Sequence, residues 1–268
     1  MYIVLTVSWF MFCAPTGYIS LATAIFFGVG VYTTAILGDS LPLPIVVACG
    51  SLVSFLVGLL VGFVCLRLRG FYFAIFTLGL NELIRHSVLW WEINVTKTVG
   101  RWVVMVDSLT VYYYMLVIVL MTVLATYLIR RSRFGLILRS IGESEEGAAH
   151  IGINVSAYRT IFFAISCLFM GMAGAIMATK WSYIDPSTAF NPMLNFTPVL
   201  MALFGGFGQI YGPILGAGIL TFVSEVLLSR FPYHFMLLYG TIFIVVIMFL
   251  RQGLVGLVRR WRGGLQAG

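Results

Sequence analysis

Apolar residues fill most of this 268-residue chain in long runs, separated by short polar or Pro/Gly-rich breaks. Neither the two-residue alternation of a half-exposed strand nor the narrow stripe of a soluble amphipathic helix accounts for runs of that length. Read between the breaks, they give nine segments: residues 2–12, 18–37, 43–66, 71–91, 111–129, 160–179, 193–204, 213–228 and 235–250. A helix crossing a bilayer needs about 20 apolar residues, so most segments are spans and some are short. The pattern predicts an all-α fold, a polytopic transmembrane helical bundle of eight or nine membrane segments that includes short or broken helices. The chain reads as a single transmembrane domain, 1–268. Segment 2–12 has no basic flank of a cleaved signal, and its length leaves room for a natural start further upstream.

Segments 193–204 and 213–228 flank a cluster of glycines, Gly205, Gly206, Gly208 and Gly212, followed by Pro213. Two arrangements fit. Two short helices could meet at a break lining a substrate path, since non-helical backbone survives at membrane depth only inside protein or against water. Alternatively, two short spans are joined by a tight turn, which is the simpler reading. No internal repeat is visible as sequence identity. Small residues four apart, such as Gly58 and Gly62, Gly174 and Ala178, and Gly212 and Gly216, suit close helix packing in lipid.

Composition excludes several classes. At 61% hydrophobic and 9% charged, with a mean hydropathy of +1.04, the chain cannot cover a water-facing surface; soluble domains carry roughly a quarter charged residues. Disorder is excluded on the same ground. The net charge of +7 is no nucleic-acid footprint, because the basic residues divide between the two ends of the spans. Eleven (Arg67, Arg69, Arg130, Arg131, Arg133, Arg139, Arg159, Arg251, Arg259, Arg260 and Arg262) fall on one side and four (Lys97, Arg101, Lys180 and Arg230) on the other, with Arg85 inside a span. The positive-inside rule makes the first side cytoplasmic and, with nine crossings, the N-terminus external. Cys13, Cys49, Cys65 and Cys167 each stand alone in apolar runs and read as packing residues. His86, His150 and His234 lie in different segments, so no metal site is expected. The absence of GxxxxGK[ST] removes the P-loop route to ATP hydrolysis, and no constellation suited to catalysis stands out, so the chain is not read as an enzyme.

Ionisable residues within spans are costly and point to function by default. Glu82, Arg85 and His86 share one helix face by their three- and four-residue spacing, and Glu225 lies in segment 213–228. The pair Glu82 and Arg85 is read either as mutually neutralised and structural, the favoured reading, or as polar lining of a substrate path or a proton relay. The connection at about 130–159 is the most unusual stretch. Glu143, Glu145 and Glu146 precede the small-residue step Gly147-Ala148-Ala149 and then Gly152. This pattern predicts a short, glycine-closed helix at the cytoplasmic face, suited to a groove on a partner.

At that connection the sequence resembles the permease subunits of the branched-chain amino acid ABC importers. The stretch FGLILRSIGESEEGAAHIGINVSAYRTIFFAIS (134–166) is similar to their cytoplasmic coupling loop, with Glu145, Ala148, Ala149 and Gly152 at the positions of its degenerate Glu-Ala-Ala-type motif. The likeness extends to RLRGFYFAIFTLGLNELIR (67–85), GMAGAIMA (171–178), LFGGFGQIYGPILGAGIL (203–220) and YGTIFIVVIMFLRQGLVGL (239–257). It departs at Tyr18 and Ala22-Thr23, where the family usually carries Gln and a Gly-His pair, and at 94–100, where a Thr-Gly-Gly-type run is usual. The resemblance implies a multi-pass permease of a bacterial or archaeal plasma membrane that binds no cofactor itself. It implies ATP-binding cassette subunits carrying ATP and magnesium docked on the loop, a second homologous permease, and an extracytoplasmic solute-binding protein. The cargo it implies is branched-chain or related amino acids, with urea, amides or another small polar solute as alternatives. Less favoured is a proton-coupled secondary transporter.

Overall fold

A computed structural model describes residues 1–66, 68, 70–234, 237–241, 244 and 253. The expected span 235–250 lies largely outside the described residues, and Arg67, Arg69, Arg251, Arg259, Arg260 and Arg262 lie wholly outside them. In chain order the α-helices are α1 (Tyr2–Thr16), α2 (Thr23–Leu37), α3 (Leu43–Cys65), α4 (Phe71–Trp91), α5 (Ser108–Arg131), α6 (Arg133–Glu143), α7 (Glu145–His150), α8 (Val155–Ala178), α9 (Pro186–Ala189), α10 (Met193–Gly205) and α11 (Tyr211–Arg230). Two strands of two residues, β1 (Arg101–Trp102) and β2 (Tyr183–Ile184), pair antiparallel. The fold is the expected all-α bundle.

The sequence sets many helix ends. Asp107 accepts from Leu109 N–H to cap α5, whose last turn carries Arg130 and Arg131. Asn154 caps α8 by accepting from Ala157 N–H, and Asp185 caps α9 through Thr188 N–H. Such caps satisfy amides that the helix leaves without partners. Helices α3, α5, α8 and α11 are long and apolar enough to cross a membrane. In contrast α1 and α2 have 15 residues each and α10 has 13.

The long α8 is the axis of the core. Along α3, Gly50 approaches Ala175, Gly58 approaches Cys167 and Gly62 approaches Phe163, so the two helices run antiparallel. Helix α2 runs with α8: Phe26 meets the Phe163 ring at 5.5 Å, and Thr34 donates to the Ala175 carbonyl at 3.0 Å. A Cβ on Gly30 would lie 2.1 Å from the Gly171 carbonyl oxygen, and one on Gly174 would lie 2.0 Å from that of Phe27. These backbones touch, which only small residues permit.

Helix α1 repeats this arrangement upside down. It runs with α10, Thr6 reaching Met201 and Trp9 and Phe10 reaching Phe207. It runs against α11, with Tyr2 and Ile3 packed on the cluster of Met201, Ala217 and Leu220. The set α1, α2, α3 thus corresponds to α8, α10, α11 with inverted direction. The segments that follow α1 and α8 share a wording, Tyr18-Ile19 with Thr23-Ala24 and Tyr183-Ile184 with Thr188-Ala189. An internal repeat is therefore present, its identity too sparse to stand out before the elements were aligned in space.

The glycine-rich segment resolves as a tight turn. Five residues, 206–210, join α10 to α11, and α11 begins at Tyr211, two residues earlier than expected. A Cβ on Gly205 would lie 1.8 Å from the Gly212 carbonyl oxygen, so the turn closes backbone on backbone. The true break lies elsewhere. After α1 the αL residue Gly17 (φ 72°) returns its N–H to the Cys13 carbonyl. Residues 17–22 then fold back along α1 without helix, Trp9 Nε1 donating to the Ser20 carbonyl at 2.7 Å. The expected span 18–37 is helical only from Thr23. A Gly30→Ala substitution is expected to lower the thermal unfolding midpoint of the purified chain, at a cost of about 1–3 kcal/mol for overpacking. Gly79→Ala, which meets nothing within 4 Å, should leave the midpoint unchanged or raise it through helix propensity.

Candidate coupling and translocation sites

The connection between α5 and α8 folds into two helices at the end of the bundle that carries Arg130, Arg131, Arg133, Arg139 and Arg159, the basic end. Helix α6 is amphipathic, burying Gly135, Leu138 and Ile141. Its end touches α1, where a Cβ on Gly142 would lie 2.2 Å from the Pro15 carbonyl oxygen. Helix α7 is short but closed at both ends by local chemistry. Ser144 Oγ accepts from Gly147 N–H at 3.1 Å, and Glu145 and Glu146 occupy the electropositive first turn. At the other end Gly152, at φ 86°, donates to the Ala149 carbonyl while Ile153 N–H reaches that of Ala148. This is a Schellman ending, and the left-handed residue it needs is a glycine.

The four motif residues divide between two faces of α7. Ala148 is 2% exposed and packs on the bundle, whereas Ala149 and Gly152 face outward with Glu146, His150 and Ile151. Glu145 turns inward to a buried Arg159, whose Nη1 lies 2.7 Å from its Oε1. Tyr18 completes the cluster. Its hydroxyl donates to Glu145 Oε1 and accepts from Arg159 Nη1, and the guanidinium lies 4.8 Å from its ring centroid. One carboxylate, one guanidinium and one phenol thus tie α7 to α8 and to the non-helical segment after α1. Sequence reasoning placed Tyr18 beside a substrate path and counted Arg159 only for its charge. The spacing of Glu145 and Arg159, fourteen residues apart, was the one available signal, and Tyr18 offered none.

Above Tyr18, the segment it belongs to finds its backbone partners on distant helices. Leu21 N–H donates to Thr77 Oγ1 at 3.0 Å, and Ala24 N–H, in the first turn of α2, donates to Asn195 Oδ1 at 2.7 Å. Asn81 Nδ2 donates to the Phe190 carbonyl just before α10. Thr77, Asn81 and Asn195 are fully buried. They are the bundle's polar interior, and none was singled out in the sequence.

The substrate-path candidates do not converge. Glu82 and Arg85 form an ion pair at 2.7 Å, with His86 Nε2 3.8 Å from the carboxylate. Their side chains are 37% and 26% exposed, on the flank of α4 beside its buried residues Phe73, Ala74, Thr77 and Asn81. Gly205 ends α10, Gly206 and Gly208 lie in the turn and Gly212 opens α11, all at the basic end, where Arg130 Nη2 reaches the Gly208 carbonyl at 3.4 Å. Glu225 is exposed on α11. At the far end, Glu92 is buried after α4, accepting from Gly100 N–H at 2.8 Å and from the Tyr32 hydroxyl at 3.2 Å. With the β1–β2 pair it holds the loop after α4 against the loop after α8. Among the described residues no group of His, Cys, Asp or Glu is placed to hold a metal ion, and the four cysteines are free.

A multi-pass helical bundle with an inverted repeat and a short helix held out at its basic end defines a membrane transport subunit. The comparisons with known proteins give the family. The family model described as "Branched-chain amino acid transport system / permease component" matches residues 1–249, and the chain belongs to that family. It is 27% identical to the high-affinity branched-chain amino acid transport system permease protein LivM of Salmonella typhimurium, over 96% of this chain and 68% of that protein. The LivM of Escherichia coli matches equally, at 27% over the same shares. The xylose transport system permease protein XylH of Haemophilus influenzae matches over a shorter stretch, 29% identical across 38% of this chain and 28% of its own. No solved structure matches the chain.

Removing the Glu145 carboxylate leaves Arg159 buried without its charge partner, which typically costs about 3–5 kcal/mol. Glu145→Ala should therefore raise amide hydrogen exchange in α7 and in residues 17–22 together, by about two orders of magnitude or more. Glu146→Ala, on the exposed face, should change neither.

Proposed function

We propose that this chain is one permease of an ABC importer for branched-chain or closely related amino acids in a prokaryotic plasma membrane, driven by separate ATP-binding subunits that dock on α7. The observation that carries the reading is the construction of α7. It is capped at both ends, pinned to the bundle through Glu145 and Arg159, and presents Glu146, Ala149, His150, Ile151 and Gly152 outward. A rigid knob whose inner face is wired to α8 and to the α1–α2 break converts motion of a docked partner into motion of the bundle. Coupling on this reading is mechanical. ATP and magnesium act on the partner subunits, and this chain contributes no catalytic group or cofactor.

The part-exposed ion pair of Glu82 and Arg85 supports a second permease. Charged side chains within a span almost always face protein or water. Here the pair is left part-exposed at the flank of α4, with Glu82 roughly 17 Å along the helix from Phe71 at 1.5 Å per residue. A homologous subunit against α4 would enclose them and put a polar seam between the two bundles. Solute would arrive at the far end from an extracytoplasmic binding protein meeting the loops held by Glu92 and the β1–β2 pair. Support for amino acid cargo comes from the match to LivM along 96% of the chain.

Ala149→Arg, which touches nothing inside the bundle, is expected to insert normally and to reduce ATP-dependent leucine uptake by the assembled transporter at least tenfold. Gly152→Pro should act likewise, since proline fixes φ near −65° where the chain needs 86°. Normal uptake by well-inserted Ala149→Arg would sink the docking assignment. Uptake of urea but not of leucine, isoleucine or valine by the unaltered transporter would overturn the cargo while leaving the docking intact.

A further inference from the structure

A groove of about 530 Å³ opens on the outer surface of the bundle between α5 and the α10–α11 turn. Its walls are apolar along α5, at Leu120, Val123, Leu124 and Tyr127, and on α11 at Ile214. Its basic-end floor carries Arg130, Arg131 and Arg139. A second cavity, of about 300 Å³, shares Arg130 and Arg139 and runs under α6 to Pro15, with Glu143 on its rim.

The three arginines lack anionic partners, although the Arg131 guanidinium stacks on the Tyr127 ring at 4.7 Å. None of them forms an ion pair among the described residues. The Arg130 guanidinium lies 4.9 Å from the Phe10 ring centroid and reaches the Gly208 carbonyl only at 3.4 Å. Its Nη1 is buried with no hydrogen-bond partner. Arginine stays charged in proteins, so it cannot escape this cost by losing its proton. Three like charges on one groove, one with a buried donor unmet, call for an anion, and the planar guanidinium fork matches phosphate oxygens.

The apolar wall says which anion. Leu120 and Arg130 are separated by ten positions on one helix, about 15 Å at 1.5 Å per residue. That is about the depth of one leaflet of a hydrocarbon core roughly 30 Å thick. A free inorganic anion would use only the floor, whereas this groove continues as a greasy channel over the depth of one leaflet. We infer that the groove between α5 and the α10–α11 turn binds an anionic phospholipid, its phosphate on Arg130 and Arg139 and an acyl chain along Leu120, Val123, Leu124 and Ile214. The site rests on the bundle lying in a bilayer and is independent of which solute is moved. Bound there, a lipid would brace the α10–α11 turn against α5 and α6, the elements beside α7.

The test uses the full chain in nanodiscs of phosphatidylcholine with or without phosphatidylglycerol, released and read by native mass spectrometry. Phosphatidylglycerol should be retained over phosphatidylcholine. Arg139→Gln, at an exposed position, should cut that preference about fivefold, the scale of one basic residue at a membrane surface. Val123→Trp, which fills the apolar wall and leaves the arginines alone, should also lower retention. Equal retention of both lipids, or full retention by both variants, would overturn the inference. So would displacement of the lipid by millimolar inorganic phosphate with Val123→Trp having no effect, which would make the site one for a soluble anion. Loss of the lipid on adding the ATP-binding subunits would likewise overturn it, by making the groove a protein interface.

Discussion

Backbone that leaves the helix inside a bilayer has no water to bond, so its amides and carbonyls must be met by protein. In this chain that constraint falls on residues 17–22, and much of the architecture follows from how it is satisfied. The segment runs beside α1, where Trp9 holds the Ser20 carbonyl, and its exit into α2 is met by Thr77 of α4 and Asn195 of α10. Helices from both halves of the inverted repeat therefore close on one short stretch. The short helix α2 begins where it does because these side chains stand in for the missing turn.

The same segment begins at Tyr18, where the bundle meets α7. Through the Tyr18 hydroxyl, Glu145 and Arg159, a helix outside the spans is attached to the least regular backbone within them. A displaced α7 would pull on α8, the axis against which α2 and α3 are packed at glycine contacts. Packing that close does not deform gradually, so a push at one end is passed on as movement of whole helices.

Fold class and the short helix α7 were legible in the sequence because each rests on local chemistry. Apolar runs report lipid exposure, and Ser144, Gly152 and Asn154 close α7 and open α8 through neighbours in the chain. Legibility ended where a residue's role depends on a face. Ala148 and Ala149 are adjacent and alike, yet one packs inward and the other outward, a difference set by how α7 lies on the bundle. Glu82 and Arg85 were recognisable as a pair by their spacing, but not that they lie part-exposed at the flank of their own bundle. The glycines from Gly205 to Gly212 drew attention as a possible break, while the actual break at 17–22 carries one glycine and reads as the start of a span.

By itself the sequence determined that this is a charge-poor, multi-pass helical bundle with its basic residues gathered at one end beside a small-residue helix. Those properties follow from hydropathy, capping and charge counted along the chain. Only the tertiary structure decided where the helices break, which acid anchors α7 and that two halves of the molecule repeat in inverted order. The partners involved are far apart in the chain: Leu21 and Thr77 by 56 residues, Tyr18 and Arg159 by 141, Ala24 and Asn195 by 171. A buried amide or carboxylate fixes that a partner must exist, but its identity is settled only when packing brings one polar side chain within hydrogen-bonding distance.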